Sequence, residues 1–173
     1  MYDVVIVGYG PTGMLAAILL GRAGELRAMQ AAKANQPLAQ KLIAFRVPGF
    51  DKGLVAQGAP GAGDAFPQAR LRGEREGLFD EIAGRGFLIL ARGSDPLAAL
   101  DGETCAFWQS LGGKVVRLGA GGVADIDGRY GQLMDEYGCD IIVKRPDFYI
   151  FGGCRAVQDL PVLLADLRRQ LHA

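Results

Sequence analysis

The sequence predicts an α/β fold, and three observations carry that expectation. A nearly continuous β-branched run, Asp3-Val4-Val5-Ile6-Val7, stands directly before a glycine-spaced turn and an apolar stretch of helix length, the pattern of a buried parallel strand followed by its helix. Beyond residue 78, short apolar runs alternate with stretches of helical periodicity in the order α, β, α, β, hairpin, α. Glycine supplies 26 of the 173 residues, about twice the ordinary share of ~7%, so the chain is rich in tight turns or close backbone approaches.

Taken in order, residues 2–7 read as a strand, residues 8–13 as a turn, and residues 14–23 as an apolar helix closed by Gly24 as its C-cap. Leu26, Met29, Leu38, Leu42, Ile43 and Phe45 then fall at helical spacing, with Pro37 separating two short helices; no second strand follows the first helix. Residues 48–67 hold many Gly, Ala and Pro with little periodicity and read as a linker or long loop. A short helix is expected over 78–83, a strand over 87–91, and a helix within 96–111 that turns Trp108 and Leu111 toward the core. A second strand follows over 114–118. Residues 140–143 and 148–151 form two strands joined by Lys144-Arg145-Pro146-Asp147, where Pro and Asp favour a tight turn. Asp159 is placed to cap a final helix whose Leu160, Leu163, Leu164, Leu167 and Leu171 make one apolar stripe. This is the thioredoxin-like order. The expected organisation is a partial dinucleotide-binding (Rossmann-type) βα unit over 1–24, a helical segment and Gly/Pro-rich linker over 25–62, and a thioredoxin-like domain over 63–173.

Charge and cysteine content narrow the function classes. Nineteen basic and nineteen acidic side chains, without a polybasic run, argue against nucleic acid or an anionic membrane surface as partner. The longest apolar run, residues 14–20, is far short of the ~20 residues that span a bilayer, and Asp3 with no basic head does not resemble a signal peptide. Three cysteines without tight spacing make neither a disulfide framework nor a zinc site, so a reducing cytoplasm is the expected location.

The chemistry-bearing motif is Gly8-Tyr9-Gly10-Pro11-Thr12-Gly13. In Gly-x-Gly-x-x-Gly between a strand and a helix, the first glycine permits the sharp turn, the second admits a pyrophosphate to the backbone, and the third lets helix and strand pack closely. First-turn N–H groups and the helix dipole would hold the phosphate charge.

Residues 2–17, from Tyr2-Asp3-Val4-Val5 through Gly13-Met14-Leu15-Ala16-Ala17, resemble the amino terminus of the FAD-dependent aromatic hydroxylases, in particular the 3-(3-hydroxyphenyl)propionate hydroxylase type. From about Gly63, through Phe66-Pro67-Gln68, Leu78-Phe79-Asp80, Gly86-Phe87-Leu88-Ile89-Leu90 and Lys144-Arg145-Pro146-Asp147-Phe148-Tyr149-Ile150, the chain is similar to the thioredoxin-like domain that ends those hydroxylases. The resemblance implies FAD as cofactor, NAD(P)H as co-substrate, a phenolic substrate, and Gly8, Gly10, Pro11, Thr12 and Gly13 as pyrophosphate-side residues. Three features depart from the family. Its members run several hundred residues longer. No strand ends in Asp or Glu ~20 residues beyond the glycines to hold a ribose hydroxyl. Gly63-Asp64 and Asp101-Gly102 lie outside the context of the family's second flavin motif.

The remaining candidates receive structural readings. Redox chemistry in a thioredoxin-like domain needs Cys-x-x-Cys at the start of the helix after the first central strand; Gly93-Ser94-Asp95-Pro96 stands there, so Cys105, Cys139 and Cys154 are read as small core residues. His172, the one histidine, is penultimate and is read as part of a frayed terminus. Arg145 and Asp147 are assigned to turn chemistry, and Phe107, Trp108, Tyr149 and Phe151 to the core. Tyr9 and Met14 flank the glycine turn, where a flavin or the packing of the βα unit would use them equally.

Two classes of function follow. One is an abbreviated, non-catalytic relative whose thioredoxin-like domain serves packing or partner contact. The other is an FAD- and NAD(P)H-dependent hydroxylase of phenolic compounds, active only if another chain supplies the rest of the flavin site. Val4 to Val7 are too apolar for an open sheet edge, so the strand is expected to join the carboxy-terminal sheet, pair with another subunit or stay poorly ordered, with a homo-oligomer or a partner protein favoured.

Overall fold

Leu88-Ile89-Leu90-Ala91 and Ile141-Ile142-Val143 are apolar at every position, which suits only strands covered on both faces. The computed structural model describes residues 49–93 and 95–171 and buries both runs in one four-stranded sheet. Residues 1–48, and with them the expected strand, glycine turn and helices, lie outside the described residues.

The described elements begin with a small sheet: β1 (Arg70–Arg72) pairs antiparallel with β2 (Glu76–Leu78), which leads into helix α1 (Phe79–Ala83). The main sheet starts at β3 (Leu88–Arg92), followed by a 3-10 turn (Pro96–Ala99), α2 (Gly102–Ser110) and β4 (Lys114–Leu118). Next come β5 (Ala124–Asp125), which pairs with β1 in the small sheet, and α3 (Arg129–Tyr137). The chain then forms β6 (Ile141–Lys144), β7 (Ile150–Cys154), a second 3-10 turn (Val157–Asp159) and α4 (Leu160–Leu171).

The main sheet has the order β4-β3-β6-β7. β4 is parallel to β3, with Leu88 opposite Lys114; β6 is antiparallel to β3, with Ala91 opposite Ile141; β7 is antiparallel to β6. A parallel βαβ unit joined to an antiparallel hairpin with a closing helix is the thioredoxin-like topology expected from the sequence.

Strand alternation sorts the side chains into two cores. Ile89, Ala91, Ile141, Val143 and Phe151 face Phe107 and Trp108 of α2 and the Leu160, Leu163, Leu164 and Leu167 stripe of α4. Leu88, Leu90, Ile142 and Ile150 face Tyr130, Leu133 and Met134 of α3 together with Phe66, Leu71 and Phe79. Phe66, Phe79 and Tyr130 form an aromatic cluster with ring centroids 4.8–5.4 Å apart.

Several boundaries differ from the sequence expectation for identifiable reasons. The helix expected within 96–111 is α2, which follows the 3-10 turn and starts where the Asp101 carboxylate accepts from Thr104 N at 2.7 Å. The bond also holds the Asp101 carboxyl below its ordinary pKa. Asp159 ends the second 3-10 turn, immediately before α4. The small sheet and α3 were not expected at all. Strands of two and three residues are shorter than any periodicity window, and the glycines flanking α3 read as turns, although Tyr130, Leu133, Met134 and Tyr137 carry i, i+3, i+4, i+7 spacing.

The Gly/Ala/Pro-rich stretch lacks regular secondary structure over 49–64, yet it packs: Val55 and Ala56 are buried. Ala56 N donates to Phe151 O, Gly63 N to Ile150 O, Ile150 N to Asp64 O and Phe66 N to Phe148 O, all at 2.8–2.9 Å. The segment thus lies along the outer edge of β7. Its glycines answer to contact: a Cβ on Gly63 would fall 1.8 Å from Phe50 O, and one on Gly61 2.8 Å from the Tyr137 ring.

Gly113, ahead of β4, faces the indole of Trp108, where a Cβ would sit 2.3 Å from Cε2. Gly113→Ala is expected to destabilise the fold by about 1–3 kcal/mol through overpacking. Urea unfolding checks this, and an unchanged midpoint would show that the α2–β4 corner has slack.

Candidate functional site

In this topology the reactive position lies where the first central strand runs into the following helix. β3 ends at Arg92, and the next turn begins with Pro96 at its first position. Asp95 occupies the N-cap, its Oδ1 accepting from Leu97 N at 3.1 Å. A carboxylate therefore takes the backbone donor that could lower a thiol pKa here. Arg92 is committed to the scaffold as well: its guanidinium pairs with Asp135 at 2.7 Å and Asp140 at 2.8 Å, tying β3 to the end of α3 and the start of β6.

The three thiols are placed elsewhere. Cys105 lies half-buried on α2, whereas Cys139 and Cys154 are buried free thiols. Burial pushes Cys139 up to about 11 and Cys154 up to about 12, so neither is a thiolate near neutrality. Among the described residues no cluster of His, Cys, Asp and Glu could hold a metal ion. His172 lies outside the described residues.

The 145–148 turn is a structural hub. Arg145 places Nη1 2.7 Å from Leu54 O and its other guanidinium nitrogens on the Asp147 carboxylate. Turn chemistry alone therefore does not describe Arg145, which also fastens the 49–66 segment. Phe107, Trp108 and Phe151 are buried as expected; Tyr149 is only half-buried and packs at a tilt against the exposed Phe50, with centroids 4.5 Å apart.

Sequence reasoning missed two buried polar residues. The Tyr130 hydroxyl accepts from Ala69 N at 2.9 Å and lies 3.2 Å from Pro67 O, joining α3 to the approach to β1. Lys144 ends β6 fully buried. Its Nζ donates to Arg145 O at 3.0 Å, reaches Arg85 O at 3.5 Å, and lies 4.1 Å from the Phe148 ring centroid. Phe148 itself holds a left-handed φ of 62° above the amine. Burial lowers the Lys144 pKa from 10.5 to about 8, against the opposing pull of Asp147 and Asp80. The only sequence signal was a lysine directly after Ile141-Ile142-Val143.

The described chain is thus a thioredoxin-like domain whose reactive position carries no thiol. Residues 63–170 match the family model described as the HcaD C-terminal domain, and the chain belongs to that family. It is 34% identical over 166 residues to a probable NADH-specific resorcinol 4-hydroxylase of Rhodococcus jostii (strain RHA1), covering 87% of this chain and 30% of that protein. It is 29% identical over 137 residues to a 3-(3-hydroxy-phenyl)propionate/3-hydroxycinnamic acid hydroxylase of Comamonas testosteroni, covering 70% of this chain and 23% of that protein. Among solved structures, the flavin-dependent monooxygenase PieE in complex with FAD and substrate matches with a TM-score of 0.52 and 22% identity, over 75% of this chain and 23% of that chain. That likeness shows a shared fold. The expected kinship with aromatic hydroxylases holds, and the chain spans less than a third of the length of these relatives.

Two expectations follow. Insulin reduction by the purified chain should show no cysteine-dependent turnover; activity lost in Cys105→Ser, Cys139→Ser or Cys154→Ser would contradict the reading of the thiols. For Lys144, between about pH 8 and 10.5 the unfolded chain holds a proton that the fold releases, so stability rises with pH through that window. The raised thiols act oppositely above their ordinary value of 9, so Lys144→Met serves as the reference. From pH 7 to 10 wild type should gain about 1–3 kcal/mol relative to Lys144→Met; a constant difference in denaturant unfolding would refute it.

Proposed function

We propose that this chain is an abbreviated relative of the flavin-dependent aromatic-ring monooxygenases, non-catalytic alone, whose thioredoxin-like domain serves packing or partner contact. The observation that carries this reading is the reactive position of the fold, filled by a self-capped Asp95-Pro96 turn. Its buried thiols are raised to about 11 and 12. The position after β3 offers no thiol.

In this reading residues 1–24 descend from a flavin-binding βα unit, residues 25–62 from a helical and Gly/Pro-rich connection, and residues 63–173 from the carboxy-terminal domain. The chain acts in the cytoplasm, as a homo-oligomer or with a partner protein. No described helix is long and apolar enough to cross a membrane.

FAD enters through kinship with the hydroxylases, with Gly8, Gly10, Pro11, Thr12 and Gly13 as the pyrophosphate-side residues. These positions lie outside the described residues. Among the described residues there is no glycine-rich strand-to-helix turn of that kind. FAD, when bound, would supply the oxygen chemistry of an NAD(P)H-dependent hydroxylase acting on a phenolic small molecule. That second reading is favoured by the 34% identity to a protein named a resorcinol hydroxylase, and it requires another chain to complete the flavin site.

The absorption spectrum of the purified protein after desalting separates the two readings. No flavin band is expected, because one phosphate turn does not replace ribose and isoalloxazine contacts. A stoichiometric flavin band would establish the hydroxylase reading instead. Light scattering on the same sample should give a mass above that of one chain, and a single-chain mass would remove the homo-oligomer.

A further inference from the structure

Lys144 is the one buried charged side chain among the described residues, and its compensation is incomplete. An ammonium carries three N–H donors. One meets Arg145 O at 3.0 Å, a second reaches Arg85 O only at 3.5 Å, and the remainder of the group lies against the Phe148 ring. The carboxylates that face it, Asp147 on the turn and Asp80 on α1, are each taken up by an arginine, Arg145 and Arg85. The ammonium therefore has no ion-pair partner of its own among the described residues. A buried charge so placed costs free energy that contact with water would return.

Phe148, which covers the amine, carries a second cost. It is the one residue other than glycine among those described with a left-handed φ, 62°, a conformation in which a Cβ is crowded. Its attachment is modest. Phe148 N donates to Arg145 O at 3.2 Å and Phe148 O accepts from Phe66 N at 2.8 Å, while the side chain is half-buried at the margin of the aromatic core. The residues around it are held independently: Arg145 N donates to Tyr149 O, Arg145 Nη1 to Leu54 O and Ile150 N to Asp64 O, at 2.7–2.9 Å. Phe148 is thus free to move while both ends of the turn stay in place, and one motion relieves both costs.

We propose that Phe148 is a gate over the Lys144 amine: it turns out of its left-handed conformation to admit water to the ammonium and closes over the neutral amine, so that the turn responds to the proton on one buried group. In the closed state burial lowers the Lys144 pKa from 10.5 to about 8, and a solvated amine returns to its ordinary value. Opening is therefore most favoured below about pH 8, where both states hold the proton. It declines between about 8 and 10.5, where only the open state holds it. The attraction of the ring for the cation works against opening and keeps the open state rare.

Acetylation of Lys144 in the full-length protein, followed by peptide mass mapping, reads the gate directly, with a blocked lysine amide in the same tube as reference. Below the onset of global unfolding the Lys144 rate should be nearly independent of urea, because opening at one residue exposes little surface. A rate that climbs with urea from the start, in step with global unfolding, would overturn the gate. Relative to the reference, the rate should fall at least about tenfold between about pH 8 and 10, since closing cancels the gain in neutral amine; a constant ratio would overturn the coupling to the proton. Two variants test the residue itself. Glycine takes a left-handed φ without crowding and leaves the amine uncovered, so in Phe148→Gly the Lys144 titration midpoint, followed by NMR at Cε, should rise from about 8 toward 10.5. In Phe148→Leu, which keeps an apolar cover, it should stay at or below about 8. An unchanged midpoint in Phe148→Gly, or the same rise in both variants, would show that Phe148 does not shield the amine. The wild-type measurements decide the matter if a variant does not fold.

Discussion

The constraint on which the domain rests is that β3 and β6 have no polar face. Leu88 to Ala91 and Ile141 to Val143 are all buried, so the sheet needs a complete layer on each side. The α4 leucines and Trp108 supply one layer, and α3 with the aromatic cluster of Phe66, Phe79 and Tyr130 supplies the other. Polar groups trapped between these layers are expected to find internal partners, and Trp108 Nε1 is an exception among the described residues. The Tyr130 hydroxyl does so at Ala69 and Pro67, and the Lys144 amine at two carbonyls and a ring.

The same constraint explains what was legible in the sequence. β3, β4, β6, β7 and α4 announce themselves through long apolar runs or a leucine stripe, and their order suffices for the topology. Elements that depend on tertiary partners were harder to see. β1 and β5 exist because they pair with each other, at Leu71 opposite Asp125, and their length leaves no periodic trace. The α3 helix has Gly128 as its N-cap in a left-handed conformation, with the Asp125 carboxylate accepting from Tyr130 N at 2.8 Å and Gly131 N at 2.9 Å. No local propensity rule reports a cap delivered from three residues upstream of the helix boundary.

At the candidate site the balance is similar. The absence of Cys-x-x-Cys after β3 was plain from spacing alone, and so was the burial of Trp108 and Phe151. Arg145 was underestimated because its partner, Leu54 O, is 91 positions away in sequence. Lys144 was overlooked because nothing in a single sequence separates a lysine that ends a strand in water from one sealed beneath Phe148. Long-range polar contacts of this kind are set by the fold, whereas the motif residues Gly8 to Gly13 are legible locally and belong to the undescribed part of the chain.

The crossing of residues 49–66 over β7 also limits how the sequence could change. Position 152 is glycine and positions 56 and 59 are alanine, the two smallest side chains, and the gap they share already places a hypothetical Cβ 3.0 Å from both methyl groups. A close-packed interior leaves no spare volume for one partner to cede to another. Growth at Gly152 would have to be answered by loss of the Ala56 or Ala59 methyl, by a side chain shorter than Leu163, or by a shift of the backbone. The crossing therefore behaves as a single unit of variation, in which Gly152, Ala56, Ala59 and the α4 leucine share one volume among four positions.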